Sequence, residues 1–87
     1  MVIQIKLFGP LKHYGEGGVL ALELSGECTV GQLKQQLKAY LQATFPQTFQ
    51  AALVDSSVFA DERRVLTDGE RLPSTLSLAL LPPVCGG

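Results

Sequence analysis

One stretch constrains the fold more than any other. Thr29 is followed three residues later by Gln32, the pattern of a capping box at a helix start. Val30, Leu33, Leu37, Tyr40 and Leu41 then recur at helical spacing and form one apolar stripe, with Lys34 and Lys38 off it. Phe45-Pro46 ends the pattern, because a residue before proline avoids the α region. Around this helix the apolar residues alternate instead. One amphipathic helix covers one face of one sheet, so the chain is expected to be α+β with a single main helix.

The alternating segments set the order of elements. Val2 to Phe8 reads as a strand with Ile3, Ile5 and Leu7 on one face and Gln4, Lys6 and Phe8 on the other. Leu11 to Gly18 reads as a loop with one helical turn, held by Leu11 and Tyr14. Val19 to Ser25 is a second strand with Leu20, Leu22 and Leu24 inward, expected to pair antiparallel with the first. After the helix, Gln47 to Gln50 is a short turn. Ala51 to Val54 reads as a short third strand, bent at Asp55-Ser56-Ser57 and continued by Val58-Phe59. Thr67-Asp68-Gly69 reads as a turn between two short extended pieces. Leu76 to Leu81 is the last strand, with Leu76, Leu78 and Leu80 on one face and Ser77, Ala79 and Leu81 on the other. The order is β-β-α-β-(β)-β.

Size and charge narrow the function. The chain has 87 residues, the size of one domain. Such a chain buries roughly 60–65 % of its unfolded surface, which favours a carrier or binding module over a deep-pocketed enzyme. The formal charge is −1, with seven basic and eight acidic residues, so there is no basic field for nucleic acid and no polybasic run for a membrane. The two cysteines, Cys28 and Cys85, have no metal-ligand spacing and form no disulfide framework, and no metal is expected. The N-terminus reads straight into a strand without a signal peptide, and the expected compartment is the cytoplasm. His13 reads as a surface residue, Cys28 as a small buried filler, Asp61-Glu62-Arg63-Arg64 as a solvated loop, and Gly15-Glu16-Gly17-Gly18 as a flexible connection.

The informative segment is the end of the chain, Pro82-Pro83-Val84-Cys85-Gly86-Gly87. Prolines fix φ near −65° and favour an extended shaft. Glycines lack Cβ, so Gly86 and Gly87 can pass a channel that side chains would block. From Pro82 the reach is at most ~20 Å at ~3.3–3.6 Å per residue. A stiff base with a thin tip points to the terminal carboxylate as the working group. Cys85 has no base placed by sequence to activate it. Phe8 and Leu81 fall on outward strand faces. If their strands are neighbours they form an apolar patch that Val58 can join, the pattern expected of a partner surface.

The tail from Leu80 to Gly87 resembles the C-terminus of the molybdopterin synthase small subunit family of ubiquitin-like sulfur carriers. There an aromatic or aliphatic pair precedes Pro-Pro-Val, one variable residue and Gly-Gly. Leu66-Thr67-Asp68-Gly69-Glu70 is similar to the family's turn before the last strand, and Ile5-Lys6-Leu7-Phe8-Gly9 to its first strand. Two departures stand out. Arg71 to Thr75 is inserted before the last strand, and the family's Asn-Gln after the third strand is replaced by Asp55-Ser56.

The resemblance implies a ubiquitin-like β-grasp roll over residues 1–81, a mixed sheet of four to five strands with the helix on one face, and an extended tail over 82–87. It places the first and last strands side by side in the middle of the sheet. It implies that Gly87, presented with Gly86, is adenylated and then converted to a thiocarboxylate. That group would donate sulfur for the dithiolene of molybdopterin. The chain would be a non-catalytic sulfur-carrying subunit binding no cofactor itself, with ATP-Mg used by a ubiquitin-activator-like adenylating enzyme. The other implied partner is the large catalytic subunit of the synthase, in a heterotetramer. Partner contacts are expected at Phe8, Val58, Leu81, Pro82, Pro83 and Val84. A carrier serving thiamine synthesis or tRNA thiolation, a ubiquitin-like protein modifier, and a plain interaction domain remain open on these residues.

Overall fold

The computed structural model describes residues 2–24, 26, 28–72 and 77–82. Strand β1 (Val2–Leu7) leads through a 3-10 helix (Gly9–Tyr14) into β2 (Val19–Glu23). Helix α1 (Val30–Thr44), helix α2 (Ala51–Ser56), β3 (Val58–Ala60) and β4 (Ser77–Leu81) follow. The four strands form one mixed sheet in the order β2-β1-β4-β3. β1 pairs antiparallel with β2 and parallel with β4, so the first and last strands lie together in the middle, as the resemblance implies.

The alternation determines what is buried. Ile3, Ile5, Leu20, Leu22, Phe59, Leu78 and Leu80 line the covered face of the sheet. Val30, Leu33, Leu37 and Leu41 of α1 join the same core. Leu11 and Tyr14 plug one end of it from the 3-10 helix. The Tyr14 hydroxyl donates to the Thr48 carbonyl and accepts from the Gln50 N–H, both at 3.2 Å, so its buried oxygen is satisfied.

The start of α1 shows why the helix begins where it does. Thr29 Oγ1 accepts from the Gln32 N–H and Gln32 Oε1 accepts from the Thr29 N–H, completing the capping box. The remaining free amides are met from far along the chain. The Val30 N–H donates to the Glu70 carbonyl and the Gly31 N–H to the Asp68 carbonyl, each at 2.8 Å. A Cβ at Gly31 would stand 3.1 Å from that Asp68 oxygen, which explains a glycine inside a helix.

Several sequence expectations need correction. Ala51 to Val54 is helical, not a strand. A short apolar run does not distinguish the two, and two alanines are weak strand formers. One turn of α2 buries Val54 and leaves Ser57 Oγ to donate back to the Leu53 carbonyl at 2.6 Å. The third strand therefore starts at Val58, and the residues after it are Asp61-Glu62 rather than Asp55-Ser56. Tyr40, read as part of the buried stripe, is exposed. Lys34, read as off the stripe, is buried, its Nζ donating to the Ser57 carbonyl at 3.1 Å and lying 3.5 Å from Asp68. The extended pieces beside Thr67-Asp68-Gly69 do not pair with each other; Val65 bridges to Ala60 and Arg71 to Thr29. Gly15 to Gly18 is a tight turn. Gly17 and Gly18 take positive φ, and the Gly18 carbonyl accepts the Leu7 N–H at 2.7 Å. Cys28 is half-buried against the core, and burial pushes its thiol pKa up. Leu76 and residues 73–75 of the insertion lie outside the described residues. Among the described residues no helix is long and apolar enough to cross a membrane.

Candidate functional site

The face of the sheet away from α1 is open, and register decides which side chains meet there. Val58 is the direct partner of Leu81 across β3 and β4. Leu7 is the partner of Leu80, and Phe8 continues extended at φ −128° and ψ 153°. The next position along β1 thus brings Phe8 beside Leu81. Phe8, Leu81 and Val58 form one row at the end of the sheet where β4 runs out. Phe8 is 41 % and Val58 39 % exposed, and Leu81 is half-buried. The sequence reading joined these residues on condition that the first and last strands are neighbours, and that condition holds.

Pro82, the last described residue, follows directly. A Cβ at Gly9 would stand 3.2 Å from Pro82 Cγ, and Gly9 has φ +59°. The chain turns sharply after Phe8 and leaves room for the proline against a bare backbone. Sequence analysis gave Gly9 no role at the site, although its place directly after the row residue Phe8 is the signal for this one. Pro83, Val84, Cys85, Gly86 and Gly87, which carry the remaining site expectations, lie outside the described residues.

Next to the row, a shallow depression of about 230 Å³ is bordered by Lys6 and Phe8 on one side and Asp61 and Glu62 on the other, over Ala60 and Ala79. Asp61 Oδ1 accepts the N–H groups of Arg63 and Arg64 at 2.8 and 2.9 Å, and those bonds hold its carboxyl below the usual range. Arg64 pairs with Glu70. That guanidinium first, then the Thr67 N–H, lowers the Glu70 carboxyl to about 2. A larger hollow of about 570 Å³ lies at the β2 edge between His13, Glu16, Val19, Tyr40 and Phe45. Among the described residues no group of three His, Cys, Asp or Glu is placed to hold a metal ion. The open face thus carries an apolar row directly before Pro82.

No family model matches the chain. The chain is 38 % identical over 73 residues to the molybdopterin synthase sulfur carrier subunit of Synechococcus elongatus, an alignment spanning 83 % of this chain and 80 % of that protein. Among solved structures it is similar to the crystal structure of SAMP1 from Haloferax volcanii, with a TM-score of 0.68, 26 % identity and 100 % of both chains covered. The crystal structure of H. volcanii small archaeal modifier protein 1 also gives a TM-score of 0.68, at 25 % identity over 95 % of this chain and 98 % of the other. The architecture is the ubiquitin-like β-grasp.

Proposed function

Given that the chain belongs to the molybdopterin synthase sulfur carrier subunit family, we propose that its C-terminal glycine carries sulfur as a thiocarboxylate. A carboxylate is a poor electrophile, because its charge is delocalised and its leaving group is oxide. In the first step a carboxylate oxygen of Gly87 attacks the α-phosphate of ATP on an adenylating enzyme, and pyrophosphate leaves. Sulfide then attacks the acyl carbon and AMP leaves with the oxygen. With an enzyme persulfide as donor the same attack gives an acyl disulfide, and a second thiol of that enzyme cleaves its S–S bond, forming an enzyme disulfide and releasing the thiocarboxylate. The product is a thiocarboxylate, a group carried by this chain and formed by its partner.

The large subunit of the synthase then receives residues 82–87 and takes the sulfur for a pterin precursor. Phe8, Val58 and Leu81 dock both partners, and Pro82, Pro83 and Val84 guide the tail, with Gly86 thin enough to enter a narrow site. The observation that carries this reading is the position of the apolar row. It sits at the end of a central strand, directly before Pro82, in a chain whose relative is named a sulfur carrier subunit.

Intact-mass measurement of native protein tests the reading. A fraction heavier by one sulfur-for-oxygen exchange at the C-terminus is expected. A chain extended by one residue past Gly87 is expected to lose all support of cofactor synthesis; full support by that chain would end the proposal. The likeness to a protein named a modifier favours one other reading, conjugation through Gly87 to lysines. That reading requires covalent adducts on a denaturing gel, where the carrier leaves few.

A further inference from the structure

Lys6 stands on the docking face, where covering a cation has a cost. Lys34, Lys38 and Arg64 each pair with a carboxylate of this chain. Lys6 takes part in no ion pair among the described residues. Its neighbours across the strands are Val19 and Ala79, which offer it no side-chain acceptor. It stands on the open face of β1 in phase with Phe8, two residues along, a spacing of ~7 Å. A protein interface of ordinary size covers about 800 Å² on each side. A partner seated on the Phe8, Leu81 and Val58 row therefore also covers Lys6. Covering an ammonium without an anion is unfavourable, because the lost water is not replaced.

The surface beside Lys6 has room for such an anion. Ala60 and Ala79 pair across β3 and β4, and their short side chains leave the depression open. Lys6 stands on one wall, and Asp61 and Glu62 stand on the other. An acidic side chain entering the depression is drawn to the Lys6 wall and repelled from the opposite one. The arrangement distinguishes positions across the sheet, which the apolar row alone does not.

We propose that Lys6 is a specificity-determining residue of the docking face, and that the partner seated there presents an aspartate or glutamate to it. The assignment rests on the docking reading above and adds to it the chemistry of the partner surface. Charge pairs of this kind act on encounter rate and register as well as on affinity.

The test titrates the same organism's large synthase subunit against the native chain and against Lys6→Arg, Lys6→Glu and Leu81→Asp, at low and high salt. Circular dichroism checks that each variant is folded. Lys6→Arg is expected to bind as the native chain does. Lys6→Glu is expected to lose about tenfold or more in affinity, with the loss largest at low salt. If Leu81→Asp abolishes binding while Lys6→Glu binds as tightly as the native chain, the role of Lys6 is overturned and the docking reading stands. If neither substitution weakens binding, both fall.

Discussion

The two faces of the sheet are made by the same strands and behave as opposites. Under α1, Ile3, Ile5 and Leu80 are 0 % exposed, and even a lysine there has its ammonium on a carbonyl oxygen and near a carboxylate. On the other face, Phe8, Val19 and Val58 remain in water, and Lys6 has no carboxylate partner among the described residues. Period-two alternation produces both, since each residue turned into the core turns its neighbour outward. The covered face holds the molecule together. Apolar groups on the open face add little to that, so substitution there separates binding from folding.

The contrast can be tested by substitution, beginning with the covered face. Leu37→Ala, at a fully buried position, is expected to cost about 2–5 kcal/mol of stability in denaturant titration. Phe8→Ala on the open face is expected to cost about 1 kcal/mol or less in the same measurement. Comparable losses would mean that the open face is structural after all.

Lys34→Met sharpens the comparison between the two lysines. It removes the donor to the buried Ser57 carbonyl and is expected to cost about 1–3 kcal/mol, whereas Lys6→Met is expected to be near neutral for stability. Gly9→Ala forces a side chain into left-handed backbone beside Pro82 and is expected to cost about 1–2 kcal/mol.

The smallest effect belongs to acid. The folded-state pKa of Glu70 is about 2, below the ordinary value of 4.5, so its contribution is present above pH 4.5 and is lost as pH falls toward 2. Melting curves of native and Glu70→Gln chains are expected to differ at neutral pH and to converge as pH approaches 2. A constant gap would detach the Arg64–Glu70 pair from stability.

The elements legible in the sequence were those with repeated local signals. The capping box and the leucines of α1 lie within one window, and so do the alternations of β1, β2 and β4. What escaped was short or distant. α2 buries only Val54 completely, too little to show a helical period. The burial of Lys34 depends on Ser57 and Asp68, both remote in sequence. The outward direction of Phe8 and Leu81 could be read from alternation, but their adjacency needed the parallel pairing of β1 with β4, which was supplied by resemblance rather than pattern. Lys6 was visible as an outward residue. What drew it into the site, its place on the depression beside the apolar row, depends on three-dimensional neighbours.

The parallel pairing at the centre of the sheet has a consequence for how the molecule is made. Gln4 and Ser77 are neighbours, so the first strand waits for a segment more than seventy residues later before its second edge is filled. During synthesis the body closes only after β4 (Ser77–Leu81) has been made and is free to pair. Contacts of such long sequence separation slow folding and forbid C-terminal truncation of the body. A nascent chain that stalls before Ser77 has no complete sheet, and its leucine-rich strands are left to the cell's chaperones and proteases.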